Sequence, residues 1–368
     1  MTSRRTFVRD SLSVAAGFAL FSPTSRQALT HSQPRGASPG ARGLAGADVL
    51  TFDLHLHPGA FFGKGSAQYA GDQAVMKTLG DMHTGGMNGG FVSIVSDGPL
   101  IQIGATGVTV RGAYGAGEAV AEYQRQLTVL RDLLPRGKAR IVTTVGEWER
   151  ARADGMVGAW LSCEGSEILD GDPGRVDVIH ADGVRSIQLV HYVPNAAGDL
   201  QTQPAQHGGL SAFGKAVVKR MNDKRMVIDV AHAAHDTVKD VVALAKGPII
   251  LSHSILKIDD SRVLNVRAIT PEHARLVAST GGVIGAWPSA TNASFDEFVD
   301  NTRRLADVVG VEHVGLGTDM DGNLRPVLAD YTQFPAWTSA LRAKGFSADE
   351  VAKIAGGNMV RVLRQVVG

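Results

Sequence analysis

The sequence predicts a closed (β/α)8 barrel of the TIM type, an α/β fold carried by one domain. Three observations lead there. Short β-branched runs recur along the chain, a longer amphipathic stretch follows each of them, and the runs end abruptly in polar residues.

The first residues stand outside this pattern. Ser3-Arg4-Arg5-Thr6-Phe7-Val8 precedes an uncharged apolar stretch over 12–21. A positive segment followed by a short apolar one reads as an export signal, here over residues 1–28. The paired arginines before Phe7 resemble the twin-arginine type, which a receptor reads, so a periplasmic or extracellular location is expected. About ten apolar residues are too few to cross a bilayer, which takes roughly 20. Residues 29–46 mix Gly, Pro, Ser and Arg with little apolar content and read as a disordered linker. The barrel is then expected over 47–368.

Eight runs follow, at 49–57, 90–95, 157–164, 186–191, 226–232, 248–253, 282–287 and 313–319. Near-continuous apolar strands alternating with helices imply a parallel sheet covered on both faces, and eight such units favour closure over an open sheet. Ser294-Phe295-Asp296-Glu297 and Ser347-Ala348-Asp349-Glu350 read as capping boxes that open two of the helices. No Gly-x-Gly-x-x-Gly turn follows the first run, which argues against a dinucleotide fold. The Gly-rich stretch 104–117 reads as a loop over the barrel mouth.

Composition narrows the partners. Hydrophobic residues make up 44% and charged residues 20%, enough for a large core, and a net charge of +1 leaves no basic surplus for nucleic acid. The single cysteine, Cys163, cannot form an internal disulfide and should alternate to the outer face of its strand as a small buried hydrophobe.

The chemistry sits at the strand ends, where barrel loops converge. The first run ends Asp53-Leu54-His55-Leu56-His57, and residues two apart on a strand point to the same side. Further runs end at Glu164, His191, His232, His253 and Asp319. A lone histidine at such a place is usually a hydrogen-bonded structural residue. Metal-binding residue types at six of eight strand ends are a joint pattern that packing alone rarely produces. His55, His57, Glu164, His232, His253 and Asp319 are the candidate ligands. Six exceed the three that one catalytic zinc takes from protein, so two ions are expected. Mixed nitrogen and oxygen donors suit Zn²⁺, with Mn²⁺ or Co²⁺ possible.

These motifs resemble the renal (membrane) dipeptidase family. The resemblance rests on Gly183-Val184-Arg185 leading to Leu189-Val190-His191, Gly209-Leu210-Ser211-Ala212-Phe213-Gly214, Ile228-Asp229-Val230-Ala231-His232 and Leu251-Ser252-His253-Ser254. Gly315-Leu316-Gly317-Thr318-Asp319-Met320-Asp321-Gly322 and Gly356-Gly357-Asn358-Met359-Val360-Arg361-Val362 continue it. It implies a zinc-dependent metallopeptidase that cleaves dipeptides with metal-activated water, and a homodimer as a possible assembly. By the same resemblance His55 binds one ion, Glu164 bridges two, and His232 and His253 bind the second. His191 would contact the substrate beside the scissile carbonyl, Asp319 would handle the proton of the attacking water, and Arg267 would hold the substrate carboxylate.

One departure stands out. The family usually has a carboxylate two residues after its first histidine, whereas this chain has His57, which leaves the site one positive charge richer. Metal binding survives that change. It keeps open other amidohydrolase chemistry on N-acyl amino acids, lactones or phosphotriesters, and a non-catalytic exported metal-binding protein.

Overall fold

A computed structural model describes residues 49–104 and 107–368. The export signal and the linker lie outside the described residues. Among those described, no helix is long and apolar enough to cross a membrane.

Among the described residues eleven strands occur in chain order: β1 (Phe52–Leu56), β2 (Gly89–Val95), β3 (Ile101–Gly104), β4 (Gly107–Val110), β5 (Ala139–Ile141), β6 (Val157–Glu164), β7 (Val184–Gln188), β8 (Val227–Asp229), β9 (Ile250–Ser254), β10 (Val283–Ala286) and β11 (Val314–Leu316). The parallel order runs β2-β1-β11-β10-β9-β8-β7-β6, and a β2–β6 pairing closes it into an eight-stranded barrel. Asp53 of β1 stands opposite Leu316 of β11, which joins the first strand to the last. The expected fold is the observed one.

The differences are local. The ladders at β7, β8 and β11 stop at Gln188, Asp229 and Leu316, so His191, His232 and Asp319 each lie three residues beyond a strand. The backbone turns inward there: His232 has φ +66° and Asp319 φ +53°, values costly for residues with a Cβ. The stretch expected as a plain loop over the mouth, 104–117, opens instead with β4, which pairs antiparallel with β3 just before it. The short strand β5 pairs with the start of β6 and was not expected. Ser347 and Glu350 form the full capping box; at Ser294 the hydroxyl accepts from Glu297 N, but Glu297 reaches Ala293 N instead.

Packing decides which end is open. Phe52 and Phe91 meet edge to face at 5.2 Å, and Trp148 packs on Phe52 at 5.2 Å and on Trp160 at 6.2 Å. Gly89 and Gly158 make room for the Trp148 ring, since a Cβ on either would lie 2.5 or 2.3 Å from it. This aromatic plug, with Met359 and Leu363 of the last helix, fills the end where the strands begin. Cys163 is fully buried in the apolar layer that includes Tyr123 and Leu127, as its alternation implies. The mouth at the other end holds the polar residues.

Candidate metal centre and active site

Glu164, the last residue of β6, is the hub of that mouth. Its Oε1 lies 3.3 Å from His55 Nε2, 3.3 Å from His191 Nε2, 3.5 Å from His232 Nε2 and 3.9 Å from His253 Nε2. Its Oε2 lies 3.3 Å from His57 Nε2, which is also 3.4 Å from Asp319 Oδ1. Two pairs of imidazole nitrogens face each other directly, His55 with His57 at 3.0 Å and His232 with His253 at 3.1 Å. All of these side chains are buried. The structure therefore gathers every residue that the strand-end pattern singled out.

The donor set fits divalent cations. Nitrogen and oxygen ligands at about 2.0–2.1 Å on a tetrahedral ion are about 3.3 Å apart, the spacing found here. The donors fall into three overlapping groups: His55, His57 and Asp319; His55, Glu164 and His253; Glu164, His191 and His232. Glu164 belongs to two of them and His55 to two, so the cluster can hold more than one ion through shared carboxylate oxygens.

Its electrostatics agree. Burial alone would raise the Glu164 carboxyl, but the charges of His191 and His55 outweigh it and hold the group well below the usual range. Burial, followed by the nearby charges of Arg267 and His191 for His232 and of His55 and Arg267 for His253, pushes both imidazoles well below their ordinary value. Neutral imidazole is the form that binds a metal. At His57 burial opposes the charged ring, yet hydrogen bonds to Asp319 and Glu164 prevail and push it up to about 10 without an ion present. A cation entering there displaces a proton.

A second layer fixes the rings. His57 Nδ1 donates to Ser93 O at 2.8 Å, which aims Nε2 at the cluster. Ser252 Oγ lies 3.0 Å from His253 Nδ1. Buried Asp53 accepts at Oδ1 from His55 N and Thr318 N, both at 3.0 Å, and at Oδ2 from Tyr331 Oη at 2.7 Å. Asp229 likewise accepts from Ala231 N at 2.9 Å and Ser252 N at 3.0 Å. Each carboxylate thus sets the backbone next to a histidine.

Sequence reasoning missed three contributors. Asp97, two residues past β2, sits 2.6 Å from His191 Nδ1 and accepts from the backbone of Tyr192 and Val193. Tyr192 packs its ring 4.6 Å from His191 and 4.8 Å from His232. Trp287 lies 5.6 Å from the His253 ring and 5.5 Å from the Arg267 guanidinium. The signal for Asp97 was present: a carboxylate just beyond a strand end, as at Asp319.

Arg267 is 1% exposed, so it is no solvated surface residue. Its Nη1 donates to Gln201 Oε1 at 2.9 Å, and Tyr192 and the Trp287 ring also face the guanidinium, while Nε and Nη2 make no hydrogen bond within 3.5 Å. A buried guanidinium with donors left open is expensive, and an anion is the partner that would satisfy them. Above the cluster opens a cavity of about 720 Å³, lined in part by His57, Glu164, His191, Tyr192, Trp287 and Asp319.

The family model described as "Membrane dipeptidase (Peptidase family M19)" matches residues 47–367. The chain belongs to that family. It is 29% identical over 270 residues to dipeptidase verJ of Clonostachys rogersoniana, covering 68% of this chain and 66% of that protein. It is 31% identical over 223 residues to dipeptidase tcpJ of Claviceps purpurea, covering 58% of this chain and 52% of that one. The chain thus spans between half and two thirds of these curated relatives. Among solved structures it resembles the metallopeptidase "dipeptidase AC" at TM-score 0.74 and 22% identity, covering 87% of this chain and 99% of the other. It also resembles a Rhodobacter sphaeroides metallopeptidase liganded with a phosphinate mimic of L-Ala-D-Ala, at TM-score 0.69 and 22% identity, covering 86% and 99%. These likenesses establish the barrel of this membrane dipeptidase family member.

Proposed function

We propose that this membrane dipeptidase family member is an exported metallopeptidase that hydrolyses the amide bond of dipeptides. The observation that carries the reading is Arg267, whose two open guanidinium nitrogens are buried beside the ligand cluster. A substrate whose terminal carboxylate meets both is held at a fixed length, with its amide over Glu164.

His55, His57 and Asp319 would hold one divalent ion, and His232 and His253, 3.1 Å apart and within 3.9 Å of Glu164, the second, with Glu164 shared between them; zinc suits these donors. Ions bound there would supply Lewis acidity, lowering the pKa of a bound water to about 7. The remaining work belongs to the chain. His191 keeps its Nδ1 proton on Asp97, and the charges of Asp97 and Glu164 outweigh burial and raise its pKa. With Nδ1 held by Asp97, the ring turns Nε2 toward the cluster, and in its protonated form Nε2–H would donate to the scissile carbonyl oxygen. Asp319 takes the proton released by the attacking water and returns it to the leaving nitrogen. Tyr192 and Trp287 wall the cavity, and the Trp287 ring lies 5.5 Å from the Arg267 guanidinium.

Elemental analysis coupled to dipeptide hydrolysis on the purified chain tests this reading. About two zinc ions per chain, with turnover abolished by chelation, are expected. Tightly bound metal without turnover would instead favour a metal-binding protein. Residues 1–28 complete the proposal as the export signal.

A further inference from the structure

Gly322 shows how closely the chain passes the ligand cluster. A Cβ on it would lie 2.6 Å from His57 Cδ2 and 2.7 Å from Asp319 Oδ1, so no side chain fits there. The residue before it, Asp321, is held at φ +65°, a conformation costly for a residue with a Cβ. Asp321 and Gly322 both line the cavity, beside His57 and Asp319.

The Asp321 carboxylate is fixed through one oxygen only. Its Oδ2 accepts from Gly59 N at 2.7 Å and from Thr78 Oγ1 at 2.6 Å. Those donors belong to the loop after β1 and to the helix Asp72–Gly85, so turning the carboxylate away would lose both. Among the described residues no hydrogen bond reaches Oδ1. The cavity's other charges are taken. Glu122 pairs with Arg125 at 2.6 Å and Lys64 with Asp72 at 2.7 Å, while Glu164 and Asp319 belong to the cluster. Of the carboxylates that line the cavity, Asp321 alone stands outside the cluster and outside any ion pair among the described residues.

We propose that Asp321 Oδ1 receives the free α-ammonium of the substrate and so selects unblocked dipeptides over N-acyl amino acids. This rests on the dipeptide reading above. In an α-aminoacyl group the nitrogen is two bonds from the carbonyl carbon, so it must lie close to the cluster once the carbonyl does. Asp321 adjoins the glycine that touches His57 and Asp319, which puts a carboxylate on that side of the mouth. An ammonium drawn out of water needs a counter-charge, and a charge-assisted hydrogen bond to Oδ1 supplies it. No bond forms or breaks at Asp321. It is a specificity residue.

Alanyl-alanine and propionyl-alanine differ only in that ammonium and give the comparison, with the zinc-loaded full chain at pH 6.5. Wild type should favour alanyl-alanine in kcat/KM by about 10-fold, mainly through KM. The preference should shrink at pH 9, where the peptide amine, of pKa about 7.7–8.0, is neutral. Asp321→Asn keeps an acceptor for Gly59 and Thr78 and removes the charge, so the preference should vanish while the metal content stays. The wild-type comparison decides even where the variant fails to fold. Equal cleavage of both compounds by wild type, or a preference that survives in Asp321→Asn, overturns the proposal and leaves amide hydrolysis standing. Cleavage of neither compound by wild type overturns the dipeptide reading and this proposal with it.

Discussion

Asp97 Oδ1 and His191 Nδ1 are 2.6 Å apart, and Asp97 Oδ2 simultaneously accepts from the backbone nitrogens of Tyr192 and Val193. One carboxylate therefore sets both the proton and the orientation of the imidazole that faces Glu164. Asp97→Asn keeps the shape and removes the charge. The variant should retain its metal and its KM while kcat falls about 10²-fold, the scale of a lost acid–base or electrostatic contribution. The His191 pKa should fall as well, because the Asp97 charge is the largest influence raising it against burial. The matching limb of the rate–pH profile should then move to lower pH. Steady-state kinetics across pH decides, and an unmoved limb would leave Asp97 a purely structural residue.

Arg267→Ala should raise KM and lower kcat/KM for substrates with a free carboxylate, and scarcely alter the corresponding amides. A charge-assisted hydrogen bond contributes about 1.5–3 kcal/mol, so the loss should be roughly 10- to 150-fold. Arg267→Lys should recover only part, since an ammonium lacks the planar pair of donors. Wild-type protein that cleaves acid and amide equally well would show that the open nitrogens hold something else.

Glu164→Gln should cost more activity than His191→Ala. Glu164 is shared by two of the three donor groups, so its loss should empty the cluster, while the His191 variant should keep metal and lose about 10²–10³ in rate. Metal analysis beside kinetics separates the cases. Full metal content in both variants would contradict a shared carboxylate.

Burial, followed by the charge of Asp97, pushes the Glu167 carboxyl up to about 7, while in the unfolded chain it should titrate near 4.3. Between those values the folded state binds the extra proton, so this group makes stability fall as pH rises from about 4.3 to about 7. Glu167→Gln should remove that fall. Its Tm relative to wild type should be higher at pH 8 than at pH 5, as calorimetry would record. A difference that stays constant with pH would exonerate Glu167.

Export should depend on Arg4 and Arg5. Replacing both with lysine should leave the protein in the cytoplasm of a bacterial host with a working twin-arginine system. Unchanged accumulation outside the cytoplasm, seen by fractionation, would refute that route.

The barrel was legible because its strands are buried on both faces and so read as separate apolar runs, of which β6 is the clearest. The metal cluster was legible because ligands must stand at the mouth: His55 and His57 share one side of β1, and Glu164 closes β6. What escaped notice had no period to read. Strand β5 is three residues long, and the β3–β4 hairpin lies in a glycine-rich stretch whose composition resembles a loop. Asp97 acts on a histidine 94 residues away, a relation that only the closed barrel creates. The openness of Arg267 is likewise a property of its surroundings.

Asp53 has a consequence for when the site comes into being. It binds Thr318, 265 residues further along, as well as the backbone of neighbouring His55. A growing chain that has already released His55 and His57 still lacks the segment that sets their backbone, and contacts so distant in sequence form late. Ions met during synthesis find scattered side chains with little selectivity. Selection among divalent metals follows availability as much as geometry, so a chain refolded with one such metal in excess should carry that metal.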